Sequence, residues 1–242
     1  RWDMAVAALV FAAFLDGIDG HVARLLKAST RFGAELDSLA DFVNFGVAPA
    51  IILFAWSLED LKSLGWIAVL VFAVCSALRL ARFNVSLSQT DQPTWKKSFF
   101  VGVPAPAGAI IVLLPIYGQD LGLHWSSLTP LVLLYTIAVA LLMVSNLPTF
   151  SIKMLGQRIH REYVPPLFVL AALFIALLLT YPAQTLFAGS LIYLALLPVS
   201  AYRYLVAKRH ADAFAKAQNG KDTQAETSNT NRTETTRMST DL

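Results

Sequence analysis

Apolar runs long enough to cross a bilayer recur almost from end to end of this chain, and no other feature limits its fold as much. A helix needs roughly 18 to 20 such residues to span the hydrocarbon. The runs are read at Trp2–Leu15, Leu39–Trp56, Leu64–Leu80, Val101–Tyr117, Leu128–Leu147, Val164–Tyr181 and Leu186–Leu205. With no water in the hydrocarbon, each run must satisfy its own backbone groups, as a helix does. The expectation is an all-α, polytopic transmembrane helix bundle of seven spans within residues 1–206. Composition agrees, with 56% hydrophobic and 14% charged residues and a mean hydropathy of +0.58. An average soluble domain carries about 25% charged residues. The net charge of +3 gives no footing for nucleic acid. The single cysteine, Cys75, excludes a disulfide scaffold and reads as a buried, inert thiol inside an apolar run.

The connections sort by charge. One set holds Arg24, Lys27 and Arg31, then Arg82, Lys96 and Lys97, then Lys153, Arg158 and Arg161, then Lys208 and Arg209. The alternate set, 57–62, 118–127 and 182–185, offers only Lys62. Under the positive-inside rule the basic set and the C-terminus face the cytoplasm, and Arg1 lies outside. An integral protein of the inner or plasma membrane is expected. Residues 207–242 are polar, cannot bury a core and read as a disordered cytoplasmic tail. Lys96 and Lys97 read as surface charges drawn to anionic lipid.

Four carboxylates break the apolar pattern within 26 residues: Asp16, Asp19, Asp37 and Asp41. Ionisable groups at membrane depth are costly and mark function by default. Asp16 and Asp19 are spaced i, i+3, and Asp37 and Asp41 i, i+4, so each pair shares one helix face, with Gly33 one turn earlier. The cytoplasmic connection lets the two helices pack antiparallel and gather all four charges. Such a cluster is relieved by hard divalent cations with oxygen ligands. Gly20 and Gly33 leave room for close approach, and Arg24 can offer a bidentate fork to phosphate. Carboxylates, divalent metal and arginine around one pocket are the requirements of phosphoryl chemistry. An ordinary basic loop would explain Arg24, Lys27 and Arg31, but not acids set inside apolar runs. His21, His124, His160 and His210 share neither a helix face nor a ligand spacing, which leaves zinc or a serine triad unsupported.

The stretch Asp16-x2-Asp19-Gly20-x2-Ala23-Arg24-x8-Gly33-x3-Asp37-x3-Asp41 resembles the full signature of the CDP-alcohol phosphatidyltransferase family. The resemblance implies two divalent ions, Mg²⁺ or Mn²⁺, on Asp16, Asp19, Asp37 and Asp41. It implies Asp41 as general base, and contacts from Gly20, Arg24 and Thr30 to a CDP-linked lipid, with CMP leaving. It also suggests a homodimer. Further segments resemble the serine-accepting branch: Asp37–Pro49, Ala77–Asn84, Phe100–Pro106 and Ser145–Lys153. That branch implies CDP-diacylglycerol and L-serine as substrates. Beyond about residue 155 the likeness is read as hydropathic only. Family members carry a further helix before the first aspartate. Its absence, with Arg1 in place of a methionine, makes the chain read as lacking one N-terminal helix.

Arg79 and Arg82, spaced i, i+3, form with Asn84 a second polar set at a helix end. They read either as recognition of the serine carboxylate or lipid phosphate, or as snorkelling to the interface. Arg79 lies a turn deeper and favours the first reading. Lys153 divides evenly between headgroup binding and a substrate role. Gly102–Pro106 opens a helix whose amides can bind an anion or simply start the helix. Competing functions are the same transfer to choline, inositol or glycerol phosphate, an intramembrane prenyltransferase, and a metal-gated transporter. The prenyltransferases draw their acids from two distant motifs, and a transporter should show inverted repeats; neither is found.

Overall fold

The computed structural model describes residues 2–25, 30–88, 99–122, 128–145, 148–150, 164–200 and 202. Side chains of residues 19–25, 31, 87–88, 99–101, 148–150 and 164 lie outside that description, as does the tail expected from residue 207. Helix α1, Trp2–Leu25, does not stop where its apolar run ends at Leu15. Acids lower local hydropathy without breaking a helix, so the rod runs on through the signature. Helix α2, Arg31–Phe42, likewise starts two turns before the apolar run. Thr30 caps it, its hydroxyl accepting from Gly33 N at 3.0 Å.

A π-helical turn, Val43–Val47, joins α2 to α3, Ala48–Trp56, without ending the rod. Its wide i→i−5 bond runs from Ala48 N to Val43 O. Pro49, at the start of α3, lacks an N–H and crowds the carbonyl four residues back, and the wide turn accommodates this. Gly46 in the turn lies against α4, where an added Cβ would stand 2.9 Å from Ser76 Cβ. A 3₁₀ turn, Leu58–Leu61, leads to α4, Ser63–Ser88.

The run expected as one span over 101–117 is broken. Helix α5, Ala105–Val112, ends at Leu113, and α6, Leu114–Asp120, begins with Pro115 in its first turn. Pro115 cannot bond to Ile111 O, four residues back. Tyr135 on α7, Thr129–Val144, supplies the donor instead, its hydroxyl reaching Ile111 O at 2.7 Å. A membrane interior demands such a substitute, because no water can serve.

Helices α8, Val164–Thr180, and α9, Pro182–Ser200, meet at a corner rather than at a loop. The segment 182–185, expected as a connection, is the first turn of α9. Thr185 Oγ1 lies 2.8 Å from Tyr181 O and 3.2 Å from Leu177 O. Eight residues of straight helix would separate residues 177 and 185 by about 12 Å, so the axis turns sharply there.

The bundle core is built around the α4–α7 packing. Phe45, Phe72, Val112, Val132, Val139 and Met143 are fully buried in it. Residues 1–198 form one compact unit. Many large apolar side chains face outward, among them Leu70, Leu78, Leu134 and Phe168, the last 73% exposed. At about 25 cal/mol per Å² such surface is unfavourable in water and suited to lipid. Among the described residues three helices are long and apolar enough to cross a membrane, Phe32–Trp56, Ser63–Ser86 and Pro182–Ser200. Two shorter apolar helices, Thr129–Val144 and Pro165–Thr180, accompany them. The chain is thus a helical membrane bundle. Among the described residues, a small antiparallel ribbon joins the helices, in which β1, Phe99–Val101, pairs with β2, Pro148–Phe150.

Candidate active site

Helices α1 and α2 carry the signature and contact one another. Counted from the connection at 1.5 Å per residue, Asp16 lies about 14 Å along α1 and Asp41 about 15 Å along α2, which sets them at matching depths. Asp16 and Asp41 are partly buried, and Asp37 is exposed. Asp19, Gly20 and Arg24 fall in the last turns of α1, with their side chains outside the described residues. Thr30 and Gly33 pair with each other at the N-cap of α2. Four carboxylates on two touching helices have the chemistry of a hard-cation donor set. Among the described residues, no group of three or more His, Cys, Asp or Glu is gathered as a cation site.

The C-terminal half of α4 reaches three neighbours. Arg79 is 5% exposed, and its Nε donates to Val103 O at 3.1 Å, while its guanidinium lies over the Phe83 ring at 5.8 Å from the centroid. Arg82 Nη1 donates to Val144 O at 2.9 Å, placing a cation at the C-terminus of α7, where carbonyls lack helical partners. Asn84 Nδ2 donates to Ser38 Oγ at 3.0 Å, and Ser38 in turn donates to Ala34 O at 3.0 Å. The lead-in to α5 closes the arrangement. Gly102 has φ +78°, and any side chain there would run into Met143 O.

Both arginines therefore hold backbone carbonyls of other elements, a use that sequence reading had not foreseen. Lys153 lies outside the described residues. Ser38 was also missed; the only hint was a hydroxyl placed between Asp37 and Asp41. A cavity of about 760 Å³ lies elsewhere. It runs along the first half of α1 between Val6, Phe14, Tyr117 and Leu178, has an apolar wall and contains none of these site residues.

A profile described as CDP-alcohol phosphatidyltransferase matches residues 1–150, and a second, CDP-alcohol phosphatidyltransferase 2, matches residues 162–198. The chain belongs to the CDP-alcohol phosphatidyltransferase family, and it is an integral membrane protein. The second match carries the likeness past residue 155, where hydropathy alone was expected to continue it. Relatives named CDP-diacylglycerol–serine O-phosphatidyltransferase include one from Mycobacterium leprae, 42% identical over 189 residues, covering 78% of this chain and 60% of the relative. One from Helicobacter pylori is 34% identical over 185 residues, covering 76% of this chain and 73% of the relative. One from Bacillus subtilis is 40% identical over 111 residues, covering 46% of this chain and 59% of the relative. The chain spans 60% of the length of the M. leprae relative and 57% of that of a Mycobacterium bovis relative.

Proposed function

We propose that the chain transfers the phosphatidyl group of CDP-diacylglycerol to the hydroxyl of L-serine, releasing CMP. The observation that carries this reading is the complete eight-residue signature on α1 and α2, in a chain whose relatives bear the name of that reaction. Asp16, Asp19, Asp37 and Asp41 would hold two divalent ions, Mg²⁺ or Mn²⁺. When bound, such ions offset diphosphate charge in a low-dielectric site. Asp41 takes the proton of the serine hydroxyl as its oxygen forms the new P–O bond. The P–O bond to CMP breaks, and CMP leaves with the bonding pair. Arg24, with Gly20, Thr30 and Gly33, lines the approach of the CDP-lipid. Arg79 and Arg82, with Lys153, serve the serine carboxylate or lipid phosphate. The site faces the cytoplasm, the side that supplies soluble serine, and the protein works as a homodimer.

The test is purified protein with CDP-diacylglycerol, Mg²⁺ or Mn²⁺, and a panel of labelled serine, choline, inositol and glycerol phosphate. CMP release with labelled lipid from serine alone is the expected result. Product from another alcohol would overturn the acceptor, and no CMP release with any alcohol would overturn the reaction. Asp16→Ala or Asp37→Ala should abolish product at saturating metal.

A further inference from the structure

We propose that Ser38 is a positioning residue, whose hydroxyl ties α2 to α4 through Asn84 and so holds Asp37 and Asp41 in place. The inference rests on the metal-ligand reading of those two aspartates. Every described residue of α2 from Phe32 to Asp37 is exposed, so packing does little to fix this stretch. Immediately beyond Asp41 the rod passes through the π turn 43–47, whose wide ring is a natural place for a helix to pivot. A carboxylate pair mounted between a poorly packed end and a wide turn needs a lateral tether.

Ser38 has the geometry to supply one. It sits one residue after Asp37 and one turn before Asp41. Its only proton goes to Ala34 O at 3.0 Å, within its own helix, which leaves its lone pairs to accept from Asn84 Nδ2 at 3.0 Å. The two residues are 46 apart in sequence, so the bond joins separate helices. Asn84 stands on the same stretch of α4 from which Arg79 and Arg82 reach Val103 and Val144. The tether thus refers the carboxylates to the segment of α4 that also orders α5 and α7.

The experiment has two arms on the full chain in detergent. In the first, without metal, amide hydrogen exchange over residues 31–41 is compared in the parent, Ser38→Ala, Ser38→Thr and Asn84→Ala. Exchange should quicken in both alanine variants and stay at the parent level in Ser38→Thr, which keeps the hydroxyl. In the second, Mn²⁺ binding is read from the spin-resonance signal of free Mn²⁺. Each alanine variant should bind about tenfold more weakly, the low end for loss of a group that orients a metal ligand. The double variant should fall short of the sum of the two singles, since each single already breaks the Ser38–Asn84 bond. Parent-like exchange in Ser38→Ala overturns the proposal. So does quickened exchange with unchanged Mn²⁺ affinity, or effects of the two single variants that add. A parent that binds no Mn²⁺ overturns the two-metal reading instead, and the exchange arm still decides whether Ser38 tethers α2.

Discussion

At the scale of single residues, the proposed reaction asks Asp41 to do two things with one carboxylate. A carboxylate fully shared with a cation is a weak base, so a base that also touches metal must keep one oxygen for the serine hydroxyl. Asp41→Asn preserves shape and a ligand oxygen but removes the proton acceptor. Turnover should fall by about 10²–10⁴-fold, while CDP-diacylglycerol binding persists; single-turnover CMP release beside a lipid-binding measurement checks this. A different carboxyl, Asp120 at the end of α6, lies outside the spans. Burial raises its pKa above the ordinary carboxylate value, with the charge of Asp3 and a hydrogen bond from protonated Asp120 to Asp3 adding to the rise. The folded state then holds this proton more tightly than the unfolded chain does. Its contribution to stability is full below the unfolded pKa and is lost as pH rises through the folded one. Asp120→Asn should therefore remove part of the fall in thermal midpoint between acid and neutral pH. A midpoint profile parallel to that of the parent would refute the assignment. The four signature acids could be read from sequence because their spacing and their apolar setting conflict. Ser38 could not be read that way, since its meaning depends on a partner 46 residues away.

At the scale of elements, hydropathy located the apolar rods but misplaced their polar ends and read α5 and α6 as one. The first turn of α2 is helical because Thr30 caps it, not because it is apolar. The ribbon 99–101 with 148–150 was beyond reach, since three residues per strand show no alternation. The break between α5 and α6 was signalled by Pro115, but its remedy was not. That remedy can be tested. Tyr135→Phe keeps the ring and leaves Ile111 O only the tight bond from Leu113 N, two residues on. It should destabilise the fold by about 1–3 kcal/mol, the range for an under-satisfied buried polar group. An ordinary interhelical bond in a bilayer averages about 0.6 kcal/mol. Unfolding in detergent measures it, and a loss no larger than that average would mean the carbonyl finds another partner.

At the scale of the whole molecule, we propose that the alternation of charge orients the bundle with its basic connections in the cytoplasm. Membrane-impermeant thiol reagents applied from outside should label cysteines introduced at Asp120 and Gln184, in a Cys75→Ala background, and should miss those at Lys97 and Arg158. The reverse pattern would place the signature on the other face and separate it from cytoplasmic serine. Gln184 is the sharper probe, because it lies in the first turn of α9 beside the corner at Tyr181 rather than in a long loop. The two-helix corner was hidden from sequence for a simple reason. Pro182 marks a break, but only the double reach of Thr185 shows that α9 begins at once.

The hydroxyl of Tyr135 also bears on how the chain is made. Ile111 leaves the ribosome 24 residues ahead of the tyrosine that completes its bonding. Until that tyrosine arrives, the broken rod α5–α6 carries a carbonyl held only by the tight bond from Leu113 N, and lipid cannot supply a second donor. Its stable residence in the membrane waits on the next span. Segments 105–120 and 129–144 should then be released into the bilayer as a hairpin rather than one after the other, and the bond between them sets the order of biogenesis as well as the finished packing.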